Sequence, residues 1–242
     1  MTEGVGIGTA IVSYIEPHFG AAREFNRWYE RDHFPAAVLA GPGAYAGARW
    51  VATRECKDLR VDASLFGDPD DGSYLSIAWL LPDAQAEWDD WVGGQMEMLQ
   101  SEDRMFEERD HLHTAVYEYE WEARTSDGPA SFLALDRGFP GLIAIAIEIG
   151  EDDDDSEIET WSRRLVDPEL PVVVALRRER LLVTMLEDEP AFHVLVLAFV
   201  EGDAIDVWER IIGPALEERD DVGFAGPFFA TVPGTDLFVD EL

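Results

Sequence analysis

The sequence predicts an α+β protein built from two β-α-β-β-α-β units packed sheet to sheet, so that one chain closes an α/β barrel internally. Three observations carry this expectation. Apolar periodicity alternates between 2 and 3.6 residues in the same order twice along the chain. Two short stretches recur: Trp28-x6-Pro35 in WYERDHFP aligns with Trp161-x6-Pro168 in WSRRLVDP, and Phe106-Glu-Glu-Arg-Asp110 aligns with Leu216-Glu-Glu-Arg-Asp220. Finally, a four-stranded sheet with both helices on one face leaves its other face bare, and a second unit can cover it.

Residues 5–16 alternate as a half-buried strand, and from Ala21 the set Phe25, Trp28, Tyr29 recurs at helical spacing. That helix reads as ending near His33, with Pro35 and the Gly-Pro-Gly at 41–43 as its stop. Residues 45–55 form a second strand, and the acidic stretch KDLRVDASLFGDPDDGS (57–73) reads as an inserted loop. A third strand spans 74–82. Asp83 then caps a helix with Trp88, Val92, Met96 and Leu99 on one face. The fourth strand, 114–123, sets Ala115, Tyr117, Tyr119 and Trp121 against Glu118, Glu120 and Glu122. After a turn at 125–131 the order returns, with a strand at 142–150 and a capping box of Ser156 and Glu159 opening a helix. Strands at 172–185 and 192–202, a helix at 203–219 and a short strand at 228–232 complete it. The units are therefore 1–124 and 132–242, the second a degenerate copy.

Charge limits the partners. The chain has 51 Asp plus Glu against 18 Lys plus Arg, a formal −33, and Lys57 is its only lysine. Such a surface repels nucleic acid and anionic membranes, whose binding needs clustered cations. It suits a salt-rich cytoplasm, and equally a GC-rich code. Cys56 is alone, so no intrachain disulfide and no cysteine zinc cluster can form. No apolar run approaches the ~20 residues of a membrane helix and no basic leader opens the chain, which makes the cytoplasm the default location. G-x-G-x-x-G, Walker, H-E-x-x-H and G-x-S-x-G patterns are missing.

Residues 24–50, EFNRWYERDHFPAAVLAGPGAYAGARW, resemble the dimeric α/β-barrel (ferredoxin-like) superfamily. The matching positions are Phe25, Asn26, Trp28, Tyr29, His33, Pro35, Pro42, Gly43, Gly47, Ala48 and Arg49. The resemblance implies two ferredoxin-like units forming a pseudo-dimeric barrel, as a monomer or a homodimer of such chains. It spans cofactor-free monooxygenases, muconolactone-type isomerases, polyketide cyclases, lyases, haem enzymes and proteins without known activity. The second unit departs from it: Val166 stands for His33 and Ser162 for Tyr29, so one active site is expected, not two.

Phe25, Tyr29 and His33 share a helix face through their i, i+4, i+8 spacing. Imidazole titrates near neutrality and suits general acid/base work, and Tyr29 can orient it or donate to an oxyanion. The competing reading makes His33 a helix cap bonding the last carbonyls. Trp28, Trp50, Trp79 and Tyr117 are expected to supply apolar pocket walls, and Arg49 either meets a substrate carboxylate or forms a salt bridge. His111 and His113, at H-x-H spacing just before strand four, share a strand face on this reading. One of them lines the pocket, both join Asp110 in a metal site, or they stand as solvated loop ends. His193 reads as a buried structural residue.

The leading expectation is a cofactor-free acid/base enzyme for a small apolar carbonyl or aromatic compound, of isomerase, lyase, cyclase or monooxygenase type. The alternatives are a non-catalytic binding barrel and a metal or haem protein using His111 and His113.

Overall fold

The computed structural model describes residues 6–63, 65–128, 138–150, 154–186 and 191–242. Nine strands make one antiparallel sheet: β1 (Thr9–Pro17), β2 (Ala44–Val51), β3 (Val61–Ala63), β4 (Tyr74–Leu80), β5 (Arg109–Arg124), β6 (Gly141–Glu148), β7 (Val172–Thr184), β8 (Phe192–Val200) and β9 (Val222–Ala230). Their order is β2-β4-β1-β5-β7-β8-β6-β9-β3, and a further pairing of β2 with β9 closes eight of them into a barrel. Helices α1 (Ala22–Trp28) and α3 (Gln85–Ser101) pack outside the first four long strands. Helices α4 (Ser156–Ser162) and α5 (beginning Ala204–Val207) pack outside the last four.

Strand alternation sorts the apolar residues into three cores. The barrel interior takes Val12, Tyr14, Ile77, Trp79, Tyr117, Leu197 and Phe228. The residues between them face the helices. Ile11, Ile15 and Val116 meet Phe25, Tyr29 and Trp88 on one side, while Ile143, Ile145 and Val196 meet Trp161 and Trp208 on the other. Trp79 and Tyr117 are fully buried in the interior.

Four local expectations are corrected. The first helix does not stop at Pro35 but continues as a wider-turned segment, Tyr29–Leu39, whose end is marked by the Ala40 N–H donating to Pro35 O at 2.9 Å. A proline lacks an N–H and crowds the carbonyl four residues back, and the i→i+5 winding accommodates it. The insertion after β2 is no simple loop: it carries α2 (Arg54–Asp58) and β3, and β3 pairs with β9. Cys56, Leu65 and Phe66 of this insert are buried in the interior core, so it plugs one region of the barrel. Its Lys57 amine donates to Ser73 Oγ at 2.7 Å and lies 3.9 Å from the Glu16 carboxylate. Asp83 is not a cap; it sits at φ 64° two residues before α3, whose N-cap is Ala84. Ser156 and Glu159 form no capping box either, since Asp155 is the N-cap and the Ser156 N–H donates to Asp154 Oδ1 at 2.9 Å.

Bulges correct two more. A register shift between Tyr14 and Ile15 pairs His113 with Tyr14 but His111 with Ile15, leaving Leu112 as the extra residue. His113 therefore lies in the barrel interior and His111 on the helix side. A second shift between Tyr119 and Trp121 leaves Tyr119 against the interior core and Trp121 against the helix layer of the second half. No described helix is long and apolar enough to cross a membrane.

Candidate functional site: a cavity at the short seam

The residues of WYERDHFP form one aromatic stack behind β2. Trp28 stacks on His33 at 4.6 Å between ring centroids, Tyr29 stands 5.2 Å from His33, and Phe25 stands 5.4 Å from Tyr29. The shared face expected from their spacing is present. His33 is 6% exposed and its Nδ1 is buried without a partner. Burial, with Arg109 and His111 adding to it, lowers its pKa to about 3, so the ring is neutral near pH 7. The cap reading is corrected, because the helix runs six residues past His33. Asp32 turns away to Arg104, which donates from Nε to Oδ2 at 3.1 Å.

Tyr29 connects this stack to Arg49. Its hydroxyl shares a 2.8 Å hydrogen bond with Ser76 Oγ, and burial raises its pKa. The Arg49 guanidinium lies over the Tyr29 ring at 4.6 Å and over Tyr74 at 5.2 Å. Its Nη1 donates to Asn26 Oδ1 at 3.2 Å, and its Nη2 is buried with no partner. Arg49 is 6% exposed, and burial lowers its pKa while Tyr29, Tyr74 and Glu30 act in the opposite sense. Cation–π contact is worth about 2 kcal/mol or more for a desolvated guanidinium. It does not replace the lost hydration of an empty N–H.

Arg49 lines a cavity of about 370 Å³. The floor is Trp50, Phe139 and Phe199, all nearly inaccessible, with Phe139 and Phe199 5.2 Å apart and Trp50 and Phe199 6.2 Å apart. Phe34 and Leu39 form a side wall, and exposed Pro35, Gly138 and Pro233 surround the mouth. Glu30 also lines it. Its two carboxylate oxygens each accept from the Gly234 N–H at 3.1 Å, and Arg31 Nε stands 3.5 Å away. The cavity sits where β2 meets β9, and there the Thr231 N–H and hydroxyl both donate to Arg49 O, at 3.0 and 3.1 Å.

Of the expected site residues, Arg49 and Trp50 line this cavity; Tyr29 and His33 stand behind Arg49 and do not line it. Trp28 belongs to the helix layer, its Nε1 donating to Arg104 O at 2.7 Å. Trp79 and Tyr117 are interior core. His113 Nε2 shares a 2.9 Å hydrogen bond with Tyr117, and burial lowers its pKa to about 3. His111 Nε2 accepts from Arg109 Nε at 3.1 Å, and burial lowers its pKa to about 4. With those two rings on opposite sides of β5, the metal site expected of them has no common centre. Among the described residues no three His, Cys, Asp or Glu side chains gather as metal ligands. His193 is half-buried and structural, its Nδ1 donating to Ile149 O at 2.7 Å while Nε2 meets Arg178 at 3.1 Å. Elsewhere, a cleft of about 760 Å³ is rimmed by Glu16, Asp70, Asp71 and Asp110 and is polar and open.

Glu30, Phe139 and Phe199 are among the cavity residues that sequence reasoning missed. In a chain this acidic, a glutamate inside a helix reads as solvated surface, and the two phenylalanines arrive only through topology.

The architecture is an antiparallel α+β barrel with helices outside. A candidate monooxygenase from Fusobacterium nucleatum has the same fold, with a TM-score of 0.52 at 7% identity over 93% of each chain. A candidate chlorite dismutase matches with a TM-score of 0.53 at 12% identity, over 98% of this chain and 100% of that one. No protein-family model and no curated protein sequence matches the chain.

Proposed function

We propose that the protein is an enzyme of the cofactor-independent monooxygenase or isomerase type, acting on a small, largely apolar carbonyl or aromatic compound in the cavity at the β2–β9 seam. The observation that carries this is the pairing of a buried guanidinium, Arg49, with a carboxylate, Glu30, on the walls of one apolar chamber. Pockets of several hundred Å³ with few convergent polar groups are the usual form of small-molecule sites.

In this reading Glu30 takes a proton from a carbon next to a carbonyl or from an acidic hydroxyl. The electron pair moves onto the substrate oxygen, where Arg49 holds the charge. Reprotonation at another carbon gives isomerisation, whereas reaction of the carbanion with O2 and a proton gives a hydroperoxide, which loses water and leaves one oxygen atom on that carbon as a carbonyl. The name carried by the Fusobacterium structure supports the second. The acid/base role expected of His33 passes to Glu30, and His33 becomes a neutral prop for Tyr29, which supports Arg49. We further read the chain as two ferredoxin-like units, 1–124 and 132–242, forming a cytoplasmic pseudo-dimer with one site. Ser162 and Val166, at the positions of Tyr29 and His33, fit that asymmetry.

A survey of enolisable and phenolic compounds for turnover and oxygen uptake tests the assignment. Glu30→Gln should lower turnover about 10²-fold or more while leaving binding within a few-fold, as loss of a general base does. His33→Gln should leave turnover nearly intact; the opposite pattern returns the role to the histidine. Tight binding without turnover across the survey would make the protein a binding barrel.

A further inference from the structure

We infer that the ligand of this cavity presents a pair of acceptor oxygens, at least one negatively charged, to Arg49 and Trp50. The inference rests on the cavity being the functional site and adds the substrate class: an organic anion with an apolar, ring-sized body.

Two of the buried side-chain atoms lacking a hydrogen-bond partner belong to residues lining the cavity, Arg49 Nη2 and Trp50 Nε1. Both are donors that can never accept. A buried donor without an acceptor costs more than a hydrogen bond returns, and an arginine cannot escape the cost by losing its proton. The Glu30 carboxylate is held by the Gly234 N–H and the Arg49 carbonyl by Thr231, and neither bonds Nη2 or Nε1. Arg49 and Trp50 are consecutive on β2 and leave it on opposite faces. They reach one cavity only because the sheet is nearly open there, with two paired positions between β2 and β9.

The rest of the chamber specifies the body. Phe139, Phe199 and the Trp50 ring offer flat apolar surface. An anionic head is therefore recognised by a built-in cation, Arg49, inside a protein whose net charge of −33 disfavours anions overall. The shared chemistry is a carboxylate or the enolate of a 1,3-dicarbonyl, each with two oxygens a short distance apart.

The test measures binding of three probes to the intact chain: 1-naphthoate, its neutral counterpart 1-naphthalenemethanol, and benzoylacetone. At least one anion should bind about tenfold or more tightly than the alcohol, as charge-assisted hydrogen bonds require. Naphthoate as the tight ligand identifies the carboxylate source. Benzoylacetone bound with the absorbance of its enolate, at a pH where the free compound is neutral, identifies the other. Arg49→Met should erase the preference while keeping the alcohol's affinity, and Trp50→Phe should reduce it several-fold. If Arg49→Met does not fold, Arg49→Lys, which loses the planar fork, should reduce the preference in part. Equal affinity for alcohol and anions in the wild type, abolished for all by Ala48→Trp, would overturn the inference and leave the cavity assignment standing. Failure of all three probes to bind would overturn both.

Discussion

Where β5 meets β7 the register runs from His113↔Thr184 to Arg124↔Val172, eleven paired positions, whereas β2 meets β9 only at Trp50↔Ala230 and Val51↔Phe229. Both seams join the first four long strands to the last four, and together they close the barrel. The long one is a ladder of backbone hydrogen bonds between strands of 16 and 13 residues. At the short one, side chains and the turn after β9 finish what the backbone leaves open, and there the cavity lies. A sheet that closes fully on both sides has no place for a ligand at its edge. Here one seam supplies the stability, and the other leaves the donors of Arg49 and Trp50 unpaired.

The comparison can be broken at its strong side first. Val116→Pro removes a ladder position where β5 lies between β1 and β7, in mid-sheet where proline is not tolerated, and should lower the denaturant midpoint by more than either change below shifts it. A folded variant with unchanged midpoint would show that the long seam is not what holds the halves together. At the weak side, Val51→Cys with Phe229→Cys places two thiols at directly paired positions. A disulfide there closes a very long loop and should stabilise by about 2–4 kcal/mol relative to the reduced form while slowing ligand entry. Cys56 is fully buried and does not compete. Unchanged association rates on oxidation would show that the seam does not open for ligand.

The smallest effect is electrostatic and acts at the far end of the long seam. His113 has a folded pKa of about 3, against about 6.5 for an unperturbed histidine, so between those values the unfolded chain binds more protons than the folded one. Its contribution to stability is intact above about pH 6.5 and is lost as pH falls toward 3; His33 and His111 act in the same direction. His113→Gln should make the acid limb of the stability–pH curve shallower by up to one proton. An unchanged slope would mean that His113 is not held neutral.

The alternation of strands and helices was legible because each long strand buries one face inside the barrel and the other under helices. What escaped the pattern has local causes. β9 reads as a short strand at 228–232 because Gly223, Gly226 and Pro227 hide its first half, yet it spans Val222–Ala230. Pro227 is tolerated opposite Ile143, and Gly226 is needed because a Cβ there would meet Arg60 Cγ at 2.9 Å. The bulges that part His111 from His113 and Tyr119 from Trp121 leave no mark in an alternating sequence. Arg49 was readable as a candidate from its place after Gly47-Ala48. Its stacking on Tyr29 and Tyr74 and its unpaired Nη2 come from the packing of β2 and β4 against the first helix, which no spacing rule states.

The plug over the barrel carries the chain's single lysine, and its side chain is only 4% exposed. Every other side-chain cation is a guanidinium or an imidazole, inert to most amine-directed reagents. Lys57 also lines the open cleft beside Glu16 and Asp71, where Ser73 and Glu16 hold its amine. The rate of ε-amine modification thus reads how firmly that hold persists, a single-site report already written into the composition.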